Sequence, residues 1–174
     1  MPLRLTFPHA PRKALAIASM AGMLAPASAQ LVIEAEDVLE NRDAVGENVS
    51  PKDAWNLWST DKDRFAKWSE GIVIQGPIVK EDRATPEEGA PVLHFVLKGV
   101  PAGSYDLALK GSRVLGISFD GTTWKRCLGG LVARNLTQGP DPIEFWIDDR
   151  FAMEKPESRG SGYIDTITLY QHVP

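Results

Sequence analysis

Cysteine is nearly absent: Cys127 is the only one in 174 residues. No internal disulfide can form, so an exported version of this chain must be held by its apolar core or by bound metal. Long apolar runs are absent as well. The clearest, Ala14 to Ala25, is shorter than the roughly 20 residues a membrane helix needs, and no later segment approaches that length. There is no G-x-S-x-G elbow, no H-E-x-x-H and no phosphate-cradling glycine loop. The familiar local signs of serine hydrolases, zinc proteases and nucleotide enzymes are therefore missing. Of three histidines, only His94 and His172 lie beyond the first 29 residues, which leaves a thiol at Cys127 few bases to activate it. A buried, inert Cys127 is the expectation.

What is present begins with an export signal. Arg4, Arg12 and Lys13 precede the apolar run, and Ala27-Ser28-Ala29 has the form of a cleavage site. Residues 1–29 thus read as a secretory signal peptide, and residues 30–174 as a single domain in a secreted or periplasmic protein. No cysteine follows the run, so a lipid anchor is not expected. The signal holds three of the 19 basic residues and none of the 23 acidic ones, so the mature charge is 16 − 23 = −7. An acidic domain suits neither nucleic acid nor an anionic membrane surface.

Period-2 apolar alternation dominates the rest. Candidate strands are Leu31 to Glu36, Gly71 to Gln75, Val92 to Leu97, Ser104 to Leu109, Val114 to Phe119, Thr122 to Arg126, Leu131 to Arg134, Ile143 to Ile147 and Tyr163 to Tyr170. Tyr105, Leu107 and Leu109 fall on one face. Asp120-Gly121 between two runs is a hairpin signal, because both residues tolerate positive φ. Gly- and Pro-rich connections separate the runs. Such a pattern predicts an all-β fold, an antiparallel two-sheet β-sandwich of the jelly-roll kind. No helix is convincing, although residues 52–68 have room for a turn or two.

Acids interrupt the first and last strands. Glu34 and Glu36 alternate around Ala35, and Asp165 sits in the run from Tyr163 to Leu169. A carboxylate on a half-buried strand is unfavourable unless its charge is compensated. A hard cation such as calcium takes such oxygen ligands. If the first and last strands are neighbours, Glu34, Glu36 and Asp165 form a candidate metal site. The competing view is three solvated strand residues, since charged groups are mostly exposed.

The pairing of Ile33-Glu34-Ala35-Glu36-Asp37 with Tyr163-Ile164-Asp165-Thr166-Ile167 resembles carbohydrate-binding modules of families 6 and 35, within the galactose-binding-like sandwiches. Two further stretches fit in the expected order: Val100-Pro101-Ala102-Gly103-Ser104-Tyr105-Asp106-Leu107, and Ile117-Ser118-Phe119-Asp120-Gly121. The resemblance implies a structural calcium joining the chain ends and a glycan or polysaccharide as ligand. An Asn common in family 6 before the last-strand Asp is lacking; Ser161-Gly162-Tyr163 stands there instead. Modules of this kind usually accompany an enzyme, so a partner enzyme would act in trans.

Aromatic rings are the candidate ligand contacts, because a flat ring covers the C–H face of a sugar while polar neighbours bond its hydroxyls. Trp58 is the first candidate, with Asn56, Ser59, Thr60 and Asp61 around it. Trp55 is the second and Trp124 the third. At least two of Trp55, Trp58 and Trp68 are expected to be mainly structural. Of Phe145 and Trp146, only one can face a core. Asp148-Asp149-Arg150 offers the alternative of a small polysaccharide hydrolase or lyase, or simply a solvated turn. A protein-binding or structural sandwich without sugar affinity is the remaining alternative. Asn48-Val49-Ser50 and Asn135-Leu136-Thr137 match the glycosylation pattern, a common chance match.

Overall fold

Alternation along the strands becomes two apolar faces pressed together. The computed structural model describes residues 29–52, 55–59, 68–76, 92–112, 114–149 and 162–172. Residues 1–28, 53–54, 60–67, 77–91, 113, 150–161 and 173–174 lie outside these, and with them the expected signal segment up to residue 28 and the candidate neighbours Thr60, Asp61 and Arg150. Among the described residues one sheet runs β3 (Asn56–Ser59), β4 (Ile72–Gln75), β11 (Tyr163–Gln171), β6 (Gly103–Ser112) and β9 (Gly130–Gln138), with β1 (Gln30–Glu34) also paired to β11. The other runs β2 (Glu47–Asn48), β5 (Leu93–Leu97), β10 (Ile143–Asp148), β7 (Leu115–Ser118) and β8 (Lys125–Cys127). Every pairing is antiparallel. The chain is an all-β two-sheet sandwich.

The core lies between the sheets. Tyr105, Leu107, Leu109, Ile164, Ile167 and Leu169 from the first sheet meet Leu93, Phe95, Leu97, Ile117, Phe145 and Ile147 from the second, all buried. Each fully buried side chain of this size contributes about 1.5–3 kcal/mol. Phe95 and Phe145 meet edge to face, their centroids 5.5 Å apart. The Val-Pro-x-Gly-x-Tyr entry to β6 has a physical role: the buried Tyr105 hydroxyl donates to the Pro101 carbonyl at 2.8 Å. That bond satisfies a polar group that burial would otherwise penalise. Cys127 is buried, and burial raises its thiol pKa, as expected of an inert cysteine.

Two expectations are corrected. The first strand ends at Glu34, and Ala35–Leu39 is a short helix, α1, not a strand continuation. Ala35, Val38 and Leu39 recur at helical spacing and are all buried, so the helix hides its apolar face where a strand would expose half of it. The second concerns Asp120-Gly121. Gly121 has φ +73°, but Asp120 is not left-handed. A wider connection, residues 119–124, replaces a two-residue turn. Asp120 Oδ1 holds it, accepting the N–H groups of Thr122 (2.8 Å) and Thr123 (2.6 Å) and the Ser118 hydroxyl (2.9 Å). A short polar side chain bonding its own following backbone offers a local alternative to the tight turn.

Candidate functional site

β1 and β11 pair from Gln30↔Tyr170 to Glu34↔Thr166, so the first and last strands do meet. Between Ile164 and Thr166 the register of β11 against β6 slips by one residue. Asp165 is that extra residue. A bulge re-aims a side chain that strict alternation would place elsewhere. Ile164 and Ile167 therefore both reach the core, while Asp165 is fully buried at the point where β4 stops pairing with β11 and β1 begins. Gly111, opposite Ile164, permits the close approach: a Cβ there would collide with the Tyr163 carbonyl oxygen.

Glu34, Thr166 and Lys110 stand abreast in the ladder. Glu36 reaches the same region from the first turn of α1 rather than along a strand. Its side chain is buried, with the residue 2% exposed. Ser69 joins the group from the turn before β4: its N–H donates to Asp165 Oδ1 at 2.8 Å, and its hydroxyl donates to Glu34 Oε1 at 2.7 Å. Left-handed Glu70 (φ 49°) and Gly71 (φ 72°) follow Ser69 and reverse the chain into β4. Such backbone in a non-glycine residue is held only where its surroundings fix it.

Electrostatics set Glu34 and Glu36 apart from ordinary surface carboxylates. Burial, followed by the charge of Asp165 and others, raises the Glu34 pKa, with the Ser69 hydroxyl opposing. Glu36 is pushed up to about 7, first by burial and then by the neighbouring charges of Glu34, Asp37 and Asp165. Among the described residues, Glu34 Oε2, Glu36 Oε2 and Asp165 Oδ2 are buried with no hydrogen-bond partner. Asp165 Oδ2 has a cation instead, the Lys110 ammonium at 2.6 Å. That contact has the distance of an ion pair without the alignment of a hydrogen bond. The same ammonium sits 5.9 Å from the Trp68 ring centroid.

Calcium can be tested against this arrangement. Three buried carboxylate oxygens without a hydrogen bond are the ligand type a hard cation takes, although one of them already faces the Lys110 ammonium. Among the described residues, however, no group of three His, Cys, Asp or Glu side chains is arranged to hold a metal ion. Side chains alone do not complete the site. A cation would also draw on main-chain carbonyls or the Ser69 hydroxyl and would have to deal with Lys110.

Beside the acids lies an aromatic row on the outer face of the same sheet. Trp58 is partly exposed on edge strand β3, its ring 5.4 Å from Tyr163. Trp68 also lies near Tyr163, their ring centroids 6.4 Å apart. Asn56, Gln75 and Tyr163 share one register row. Beyond Lys110 a shallow groove of about 390 Å³ runs over Thr166, Thr168 and Tyr170, with Leu128 on its rim.

No known protein family, characterised protein or solved structure matches this chain.

The remaining candidates sort by burial. Trp55, 4% exposed, packs into the core over Gly76. Trp124 is partly exposed in the connection after Asp120. Phe145 faces the core, whereas Trp146 lies outside, stacked 4.2 Å from His94, which shares a 2.8 Å hydrogen bond with Glu144. Asp148 and Asp149 are 2% and 1% exposed, so they form no solvated turn. Asn48 is buried and bonded to Ser50, a poor glycosylation acceptor; Asn135 is exposed. Sequence reasoning missed Ser69, Lys110 and Tyr163. Nothing local marks them, because only the register of β11 against β4 and β6 brings them to the acids.

Proposed function

We propose that the protein is an exported, non-catalytic carbohydrate-binding β-sandwich whose chain ends are tied together by calcium. The partly exposed ring of Trp58, set 5.4 Å from Tyr163, supports this most. Two amphipathic rings side by side offer a surface to the apolar face of a sugar. Asn56 and Gln75, paired across β3 and β4 on the Trp58 face, supply polar groups beside the rings. Calcium would be held by Glu34, Glu36 and Asp165 together with main-chain oxygens, and would neutralise carboxylates that burial otherwise destabilises. The hydrolase or lyase alternative is weaker because Asp148 and Asp149 are nearly closed to solvent.

A glycan-array screen of the mature protein, with Trp58→Ala and Trp55→Ala alongside, tests the reading. Trp58→Ala should weaken binding at least about tenfold, equivalent to about 1.4 kcal/mol. Because the ring is only partly covered, its loss should cost roughly 1–2 kcal/mol of stability. Trp55→Ala should instead cost about 3–5 kcal/mol as a core truncation. A wild type that binds no glycan would end the carbohydrate reading and favour a protein-binding sandwich. A cleavage activity lost in Asp148→Asn or Asp149→Asn would favour the enzyme.

A further inference from the structure

We propose that the Trp58–Tyr163 surface is one end of a longer track, and that its ligand is a neutral, linear polysaccharide chain lying along β11. This rests on the carbohydrate reading above and names the class of glycan. Strand alternation, interrupted once at the Asp165 bulge, puts Tyr163, Thr166, Thr168 and Tyr170 on the outer face of β11. Trp58 stands at one end of this line, its ring 5.4 Å from Tyr163. Tyr170, 40% exposed, stands at the other. Trp68 and Lys110 join the two halves. The Trp68 ring lies 6.4 Å from Tyr163, and the Lys110 ammonium lies 5.9 Å from the Trp68 ring.

The groove beyond Lys110 supplies the room, about 390 Å³ over Thr166, Thr168 and Tyr170. Gly129 and Gly130 form one wall in left-handed backbone, and a Cβ at Gly130 would meet nothing within 4 Å. The lining is mixed in chemistry. Threonine hydroxyls and the Tyr170 phenol lie beside the Tyr170 ring and the Leu128 side chain, which is 70% exposed. A sugar chain carries the same mixture of hydroxyl edges and C–H faces, whereas a purely apolar partner would leave the hydroxyls unpaired. Length points to a chain rather than one sugar. From Tyr163 to Tyr170 the strand spans roughly 20 Å, at about 3.4 Å per residue with the bulged Asp165 left out. Charge points to a neutral chain. Among the described residues lining the groove Lys110 alone is charged, and its ammonium already faces Asp165 at 2.6 Å. An acidic chain would have to compete with that carboxylate for its only cation there.

The test is calorimetric titration with linear gluco-, xylo- and manno-oligosaccharides, from monosaccharide to hexasaccharide, with oligogalacturonate as the acidic probe. It is run on the protein and on Trp58→Ala, Tyr170→Ala and Leu128→Ser, with thermal melting to confirm folding and sedimentation to give the oligomeric state. Affinity should climb with length, the best hexasaccharide binding at least about tenfold more tightly than its disaccharide. Tyr170→Ala should cut that advantage about threefold to tenfold, the worth of one aromatic contact. Trp58→Ala should weaken binding at every length. Affinity that stops rising at the disaccharide, or a length advantage that Tyr170→Ala does not touch, would overturn the track and leave the carbohydrate reading standing. So would a preference for oligogalacturonate, or a glycan-array ligand found only among branched glycans. A dimer made monomeric by Leu128→Ser, with hexasaccharide binding no better than disaccharide, would give the groove to a second copy of the chain. If no glycan binds at any length, the carbohydrate reading fails and this inference with it.

Discussion

Two acidic residues, Asp120 and Glu36, are treated in opposite ways by the same fold. Asp120 lies in an exposed connection and accepts hydrogen bonds from Thr122, Thr123 and Ser118. These donors, the Thr123 backbone foremost, hold its pKa well below the usual carboxylate value. Glu36 is buried, has an oxygen without a partner, and is pushed up to about 7. One charge is stabilised by neighbours two and three residues away in sequence. The other is opposed by burial and by acids brought in from Glu34 and Asp165. A charged group is stable where donors meet it and unstable where only apolar matter does.

The largest effect expected from this contrast is at Glu36. Its folded pKa lies above its ordinary 4.5, so the folded state binds the proton more tightly than the unfolded one. Stability is then fully present below about 4.5 and falls as pH rises toward about 7. That gap amounts to roughly 3 kcal/mol by linkage, reduced to about 2 by solvent screening. Denaturant melts in chelator from pH 4.5 to 8 should show the decline, and Glu36→Gln should flatten it. A wild-type stability that rises through this range would contradict the assignment.

A middle-sized effect is expected at Ser69, whose hydroxyl is the donor to Glu34. Ser69→Ala leaves its N–H on Asp165 but takes the donor from the half-buried Glu34 Oε1, at a cost of about 1–2 kcal/mol. Chemical denaturation at pH 7 in chelator would measure it. No change there would mean that water already serves Glu34.

Asp120 should matter least and in the opposite direction of pH. Its folded pKa lies below the ordinary 3.8, so its contribution is present above that value and lost as pH falls below it. Asp120→Asn should remove that contribution at neutral pH and flatten the fall in stability below about 3.8, and it should move the amide shifts of Thr122 and Thr123 followed by NMR. A gain in stability at pH 7 from Asp120→Asn, of the sign expected from Glu36→Gln, would break the contrast.

The alternation of β5, β6, β10 and β11 was legible in sequence because each strand has one apolar face that must be buried. The i, i+3, i+4 spacing of Ala35, Val38 and Leu39 was legible too, yet it was masked by the strand pattern before it. The partial exposure of Trp58 against the burial of Trp55 was not, since three residues apart the two rings read alike.

The sequence by itself determined the all-β class, most of the strands and the presence of acids near the first and last of them, because periodicity acts between near neighbours. Only the tertiary structure decided that β1 lies against β11, that a bulge turns Asp165 inward, and that Ser69 and Lys110 meet it there. Strand register is a long-range choice, and a one-residue slip reverses which side chains face the core.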